Sequence, residues 1–223
     1  MATTNPTSFP LTVAQDRSST RTLGELIFGF GLIMLILWVP EAEQKVLGPI
    51  ALLATLTLVL SSRQSLDALG LGRRGLLASL WILPATIGLA IVSVFIAKSL
   101  GTFHALYNPD FRHVAGYVLW TVYQQFLLQD YFMPRLTRFL SSNVAIAVTA
   151  VLFSVAHLPN IVLTAATLLW GAVSCTLFRR YHNLYALGLA QGLLGLCIAV
   201  CVPDVLHHHL RVGLGYFHYR ATQ

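Results

Sequence analysis

Residues 123–139, YQQFLLQDYFMPRLTRF, bring three glutamines and one aspartate into one of the most apolar regions of the chain. On a helix, Gln125 and Gln129 lie four residues apart and share a face, which Gln124 and Asp130 flank. An amide without a hydrogen-bond partner is costly in hydrocarbon, so this polar stripe must face other helices or a wet cavity. Ionisable groups inside membrane segments commonly belong to sites, and Asp130 is therefore a candidate for proton transfer.

Candidate partners for this stripe lie further along the chain: His157 at the end of one apolar segment, Asn160 shortly after it, and Gln191 in the last such segment. We expect Gln125, His157 and Gln191 to converge on one buried cavity that is shielded from acyl chains. Asp130, His157 and Gln125 are the candidate catalytic residues. The candidate substrate-binding residues are Gln124, Gln129, Asn160, Gln191, Phe153 and Tyr123. A simpler interpretation is that the amides only tie helices together, each hydrogen bond contributing about 0.6–2 kcal/mol.

The elements that carry these residues are predicted to be transmembrane helices. Of 223 residues, 56% are hydrophobic and only 10% are charged, which leaves too little polar material to cover a soluble globule. A spanning helix needs about 20 mostly apolar residues, and seven segments come near that length: 23–40, 46–60, 75–100, 117–133, 143–157, 160–178 and 184–202. We predict an all-α integral membrane protein with a polar arm (1–21), one polytopic domain (22–202) and a histidine-rich tail (203–223).

Charge predicts the orientation of this bundle. If the seven spans alternate, one side receives Arg17, Arg21, Arg63, Arg73, Arg74, Arg135, Arg138, Arg179 and Arg180, and the other side has no basic excess. The positive-inside rule then predicts a cytoplasmic N-terminus, and we expect a multi-pass protein of a bacterial inner membrane. The net charge of +6 does not indicate nucleic-acid binding, because the arginines are scattered between spans. The loop 102–116, with a turn predicted at Asn108, is expected to cap the opposite side.

Metal-ligating residue types are present, but their spacing predicts no metal site. Three cysteines, Cys175, Cys197 and Cys201, fall within predicted spans and are interpreted as small packing residues. Three consecutive histidines, 207–209, cannot all face one point from a regular helix or strand, so we expect a solvated histidine-rich tail. A single histidine among amides is a poor zinc site, and the sequence predicts no particular cofactor.

The order of the polar residues resembles that of the CPBP family of intramembrane endopeptidases, which includes CAAX prenyl proteases and bacteriocin-processing proteins. That family carries Glu-Glu-x-x-x-Arg on one span, Phe-x-x-x-His on the next and His-x-x-x-Asn on a later one. The corresponding stretches here are QQFLLQ, FSVAH and QGLLG, within a core of about residues 117–201. The motif positions are, in order, Gln124, Gln125, Gln129, Phe153, His157, Gln191 and Gly195. Only the middle motif is intact.

The resemblance implies a membrane helical bundle in which a glutamate activates water, histidines assist and an asparagine holds the oxyanion. A glutamine amide has no useful basicity near neutral pH, so Gln124 and Gln125 can orient a water molecule but cannot deprotonate it. The arginine position also carries an amide, Gln129, so no buried charge is left unpaired. We therefore expect a divergent member whose pocket is kept for binding or for different chemistry.

Three functions stay open. In the first, the cavity acts on or binds a lipid-like or isoprenoid substrate between aromatic walls, and Asp130 initiates chemistry as an acid. In the second, the protein is an active intramembrane endopeptidase in which His157 and Asp130 activate water, and Gln191 and Asn160 donate to the oxyanion. In the third, it is a non-catalytic membrane partner or chaperone for a helix or a prenylated peptide. The sequence does not predict an oligomeric state.

Overall fold

The described part of the chain is helical and carries the apolar helices that a membrane protein needs. A computed structural model describes residues 11–61, 64–107 and 109–219, with side chains described from residue 19 onward. Arg63, the predicted turn at Asn108 and the side chain of Arg17 lie outside this part. Five helices are long and apolar enough to cross a membrane: Ser19–Trp38, Glu41–Leu60, Leu76–Leu100, Ile161–Tyr181 and Leu184–Cys201. The all-α membrane class is thereby confirmed.

The described chain forms eleven α-helices, several of them short. They are α1 (Leu11–Trp38), α2 (Glu41–Leu60), α3 (Leu76–Ser79), α4 (Ile82–Leu100), α5 (Phe111–Phe126), α6 (Met133–Leu136), α7 (Ser142–Val155), α8 (Ile161–Tyr181), α9 (Leu184–Cys201), α10 (Asp204–His207) and α11 (Leu214–Phe217). A π-helical turn, Leu127–Phe132, joins α5 to α6, and a 3₁₀ turn, His208–Leu210, follows α10. Asp110, Asn160 and Asn183 cap α5, α8 and α9 by accepting a backbone N–H.

Two of the seven predicted spans differ from ordinary membrane helices. The segment predicted at 117–133 includes the π-helical turn, and Pro134, which has no backbone N–H to continue the α-helical ladder, follows just after it. The segment predicted at 143–157 contains α7, whose 14 residues reach only about 21 Å at 1.5 Å per residue, less than the hydrocarbon thickness of about 30 Å. Both helices nevertheless pack within the bundle.

Glycines allow the helices around the polar stripe to approach closely. A Cβ built on Gly188 of α9 would lie 2.8 Å from Val122 Cα of α5, and one on Gly171 of α8 would lie 3.1 Å from Ala150 Cα of α7. At the first contact, Thr121 Oγ1 donates to the Gly188 carbonyl oxygen over 2.9 Å. Small residues of this kind bring membrane helices into backbone contact, and here they place α5 directly against α9.

One end of the bundle, which we call the arginine end, joins the middle of α1, near the start of the Ser19–Trp38 span, to the ends of other helices. Arg135 Nε of α6 donates to Glu25 Oε2 over 2.9 Å, and Arg138 donates to Thr22 Oγ1 over 2.9 Å. Arg179, at the end of α8, donates to Asn143 Oδ1 at the start of α7. These contacts are what alternating helices with a shared basic end would produce.

The opposite end, which we call the histidine end, is closed by the C-terminal segment 203–219. The Gly213 N–H donates to the Leu158 carbonyl over 2.8 Å, and Gly213 has φ +56° where a Cβ would meet the Leu37 carbonyl. The rings of His208 and Tyr216 stack 3.8 Å apart, and His207 is fully buried. The expectation of a solvated histidine-rich tail is therefore wrong, because this segment packs onto the ends of α1 and α7.

Candidate functional site

Four glutamines form one hydrogen-bonded series between α5 and α9. Gln129 Nε2 donates to Gln125 Oε1 over 3.1 Å, and Gln125 Nε2 donates to Gln191 Oε1 over 2.6 Å. Gln191 Nε2 in turn donates to Gln124 Oε1 over 2.5 Å. Trp170 Nε1 of α8 donates to the same Gln191 oxygen over 3.2 Å. Gln191 is thus the central member, and it joins three helices.

A large apolar cavity begins at Gln124 and Gln191 of this series. It encloses about 800 Å³, within the range of about 300–1,000 Å³ typical of small-molecule sites. Gln124, Gln191 and Trp170 line it, together with Tyr123 and Phe153. Apolar side chains from α1, α2, α4, α5, α7, α8 and α9 form most of the remaining wall. The described lining contains no Asp, Glu, Lys or Arg, so the cavity presents dipoles rather than charges.

The wall contributed by α2 contains a glycine and a proline. Gly48 and Pro49 both line the cavity, and Pro49 lies inside α2. An internal proline removes one backbone hydrogen bond and kinks a helix. Neighbouring side chains of α2, including Val46, Ile50 and Leu53, are more than half exposed on the surface that a membrane would cover. The cavity is therefore bordered by a helix whose other side faces lipid.

His157 lines the same cavity, and its hydrogen bonding fixes its tautomer. Its Nδ1 lies 2.7 Å from the carbonyl oxygen of Phe153, one turn earlier. Because a carbonyl oxygen can only accept, Nδ1 carries the hydrogen and Nε2 keeps its lone pair. The Phe153 ring meets the imidazole edge to face at 4.8 Å. His157 can therefore accept a proton at Nε2.

Tyr117 and Thr149 are polar wall residues that lie outside the predicted set of site residues. A Cβ built on Gly195 would lie 1.8 Å from Tyr117 Oη, so the phenol occupies the space that a side chain at position 195 would need. The hydroxyl of the buried Thr149 has no hydrogen-bond partner among the described residues. Both residues line the cavity. A glycine at the position that resembles the family's asparagine was the available signal that a larger neighbour fills this space.

The predicted site residues divide into two groups. Gln124, Gln191, Tyr123, Phe153 and His157 lie on the cavity wall. Gln125 and Gln129 are buried behind it and reach it only through Gln191. The structure thus joins Gln125 to Gln191 directly, and Gln191 and His157 line the same cavity.

Asn160 does not lie on the described cavity wall. Its side-chain oxygen accepts from the Leu163 N–H over 3.1 Å, and its amide donates to the carbonyl oxygens of His207 (2.7 Å) and Arg211 (3.0 Å). The expectation that Asn160 binds substrate is therefore not supported by its position, because its polar atoms already cap α8 and hold the C-terminal segment.

Asp130 is also absent from the described wall. It lies on the π-helical turn five residues before Arg135 and so near the arginine end, whereas His157 neighbours Leu158 at the histidine end. Its side chain is 4% exposed, and Oδ2 has no described partner. The two ionisable residues lie toward opposite ends of the bundle, and of the two only His157 lines the described cavity.

One comparison with known proteins gives a match. A family model described as type II CAAX prenyl endopeptidase Rce1-like matches residues 107–197. This segment contains α5, α7, α8 and most of α9, the helices that carry the glutamine series and His157. The resemblance to the CPBP family is thereby confirmed. No curated protein and no solved structure gives a significant match.

Proposed function

Because residues 107–197 match the Rce1-like family model, we propose that the protein binds a lipid-like or isoprenoid chain in its intramembrane cavity. The observation that carries the proposal is an apolar cavity of about 800 Å³ with hydrogen-bonding amides on one part of its wall and no formal charge in its described lining. Such a cavity suits a long hydrocarbon chain, because burial of apolar surface supplies binding free energy of roughly 25 cal/mol per Å². The localisation that fits is a bacterial inner membrane.

The polar end of the ligand would meet hydrogen-bond donors and one acceptor. Gln124 uses its oxygen to accept from Gln191, and no described residue accepts from its Nε2. The Tyr117 hydroxyl is a further group on the same wall, and His157 Nε2 is the acceptor. A ligand head group with a carbonyl, such as the peptide of a thioether-linked prenyl peptide or an ester, would fit these groups, because its carbonyl oxygen accepts hydrogen bonds from the donors.

In this proposal the protein does not hydrolyse peptides by the route that the family resemblance implies. That route needs a carboxylate to remove a proton from water, and the residues at those positions, Gln124 and Gln125, are neutral amides committed to Gln191. We also assign no proton transfer to Asp130, because it is off the described wall. Binding without chemistry by the glutamate route is what the remaining groups support.

A second candidate function is hydrolysis with His157 as the base. It is favoured by the Nδ1–H bond to Phe153, which leaves Nε2 unprotonated toward a possible water. Gln124 and Tyr117 would then donate to the developing oxyanion. The two functions differ in one measurable respect, namely whether a bound prenylated peptide is cleaved.

The binding site is tested with two neighbouring alanines of α8. Ala166 lines the cavity, and Ala165 is exposed on the lipid-facing surface. In protein reconstituted into lipid nanodiscs, Ala166→Trp should weaken binding of a fluorescent farnesylated peptide by at least about tenfold, since the indole would fill ligand space. Ala165→Trp should bind like the wild type. Equal affinity in both variants would place the ligand outside the cavity and defeat the proposal.

The same preparation separates binding from catalysis. The farnesylated peptide and a free isoprenoid alcohol are incubated with the wild type and with His157→Gln, and products are followed by mass spectrometry. Binding without cleavage supports the first function. Cleavage by the wild type that is lost in His157→Gln supports the second. Cleavage that survives in His157→Gln would contradict both functions, because the first predicts no cleavage and the second needs His157 as the base. If neither probe binds, the proposed cavity ligand is wrong.

A further inference from the structure

At the histidine end, three possible metal ligands come together from parts of the chain that are far apart in sequence. His104 lies in the loop between α4 and α5, and Asp204 and His207 lie in α10. One ligand atom from each of the three lies within 4.8 Å of the others. None of the three lines the intramembrane cavity. The cluster is therefore separate from the candidate lipid site.

One backbone carbonyl organises the two histidines. His104 Nε2 lies 2.9 Å and His207 Nε2 lies 2.8 Å from the Val202 oxygen. The two rings are nearly parallel, with 15° between their planes and 6.4 Å between their centroids. Asp204 Oδ1 lies 3.3 Å from His207 Nε2. Both Nε2 atoms and one carboxylate oxygen thus point toward the region around a single carbonyl group.

We propose that His104, Asp204 and His207 bind a divalent transition-metal ion, for which Zn²⁺ is the best chemical match. Imidazole nitrogen and carboxylate oxygen are usual zinc ligands, with bonds of about 2.0–2.2 Å that place ligand atoms about 3–4 Å apart. The separation of 3.3 Å between Asp204 and His207 already fits. The other ligand atoms lie up to 4.8 Å apart, and side-chain shifts of about 1 Å would bring them into the same range. Water or the Val202 oxygen would complete the coordination.

The surroundings of the cluster resemble the outer shell of a metal site. Metal-binding residues are commonly oriented by hydrogen bonds from their other polar atoms. Here Asp204 Oδ2 lies 3.1 Å from His209 Nε2, and the His209 ring stacks on Tyr107 at 3.8 Å. His104 Nδ1 lies 3.1 Å from the Ala105 carbonyl oxygen. These contacts orient the carboxylate and one imidazole toward the cluster.

Protons occupy the cluster when no metal is bound, and a metal must displace them. The hydrogen bond to Val202 raises the pKa of His104, whereas burial lowers the pKa of His207. His207 Nδ1 also accepts the Leu210 N–H over 3.2 Å, and metal binding through Nε2 would require this contact to rearrange. Metal ligation and a purely hydrogen-bonded contact between loop and tail are thus alternative states of the same groups.

The consequence of metal binding would be structural. The ion would join the α4–α5 loop to the C-terminal segment, and Leu210 of that segment lines the intramembrane cavity. A ligand that binds only the folded state raises the free energy of unfolding in proportion to the logarithm of its concentration. We expect Zn²⁺ to raise the temperature of thermal unfolding of the metal-stripped protein.

The experiment uses the full-length protein without a polyhistidine tag, stripped with EDTA and then loaded with Zn²⁺ or Co²⁺. The wild type should retain one Zn²⁺ per chain by mass spectrometric metal analysis, and Co²⁺ should give a visible d–d absorption band. His104→Gln should lower the Zn²⁺ affinity at least about tenfold. It is preferred to a change at fully buried His207, which could prevent folding.

Two matched histidines serve as controls. His113 is exposed and lies 3.4 Å from Asp110, and His208 belongs to the same histidine run but stacks on Tyr216. His113→Gln and His208→Gln should each keep one Zn²⁺ and the Co²⁺ spectrum. The proposal is overturned if the wild type keeps no Zn²⁺ after dialysis, or if folded His104→Gln binds Zn²⁺ as tightly as the wild type. In that event the cluster is a hydrogen-bonded contact only.

Discussion

A glutamine can donate and accept at once, so amides at the positions of a charged triad can form one hydrogen-bonded series, in which only the buried Gln129 Oε1 has no partner among the described residues. Gln191 uses its oxygen for two donors and its nitrogen for Gln124. A glutamate at position 125 would instead lose the N–H that Gln191 Oε1 accepts and set two acceptors against each other. The hydrogen bonds of the four glutamines therefore depend on one another, and a single substitution such as Gln125→Glu would disrupt the series.

Gly195 and Tyr117 give a prediction at the scale of single residues. A Cβ at position 195 would overlap Tyr117 Oη, and a tyrosine can turn its far end away at small cost in stability. We expect Gly195→Ala to displace the phenol and to weaken binding of the farnesylated peptide about as much as Tyr117→Phe does. Because both changes remove the same hydroxyl, the double variant should bind no more weakly than either single variant.

Fluorescence titration of the four proteins, with Gly88→Ala as a control, measures this coupling. No atom lies within 4 Å of a Cβ built on Gly88, which is exposed on α4. Additive losses in the double variant would show that the two residues act independently, and Gly195→Ala would then weaken binding by a route other than displacement of the phenol.

At the scale of elements, the contact between α5 and α9 holds the glutamine series in register. A Cβ on Gly188 would lie 2.8 Å from Val122 Cα and 2.5 Å from its Cγ2, and backbone cannot turn aside as a side chain does. We expect Gly188→Ala to lower the free energy of unfolding by about 1–3 kcal/mol. Unfolding in mixed detergent micelles should show this loss, and Gly88→Ala should not. Equal stabilities would mean that α5 and α9 are less closely packed than described.

The sequence predicted helices well where they are long and apolar, because length and hydropathy suffice for a spanning helix. It predicted α5 as an uninterrupted span, although Pro134 gave a local signal of irregularity that the hydropathy of the segment masked. The π-helical turn carries Gln129 and Asp130. The expected shared face of Gln125 and Gln129 is present as a hydrogen bond, whereas Asp130, predicted to flank that face, lies off the described cavity wall.

The sequence suggested site residues only where the order of the family motifs along the chain identified them. Gln191 and His157 are candidates that the family pattern suggested, whereas Asn160 was proposed as a binding residue because a capping role and a binding role look alike in sequence. His104 could not be connected to His207, since more than a hundred residues separate them and only the folded loop brings them together. Contacts of that range depend on the tertiary packing of α4 against α9.

At the scale of the whole molecule, the two ends of the bundle differ in charge and in construction. The arginine end is tied by the pairs Arg135–Glu25 and Arg138–Thr22, whereas backbone contacts, histidines and Asp204 close the other end. Positively charged ends of membrane bundles favour the cytoplasm. We therefore predict that Ser141, beside the arginine end, faces the cytoplasm and that Arg112, at the start of α5, faces the outside.

Single-cysteine labelling in intact bacterial cells measures this orientation, in a background where Cys175, Cys197 and Cys201 are replaced by alanine. Arg112→Cys should react with a membrane-impermeant maleimide added outside, because residue 112 is exposed. Ser141→Cys, also exposed, should react only after permeabilisation, when both variants should label equally. The opposite pattern would invert the bundle and place the histidine cluster in the cytoplasm. The predicted pattern puts that cluster on the outer side, where Zn²⁺ would reach it without crossing the membrane.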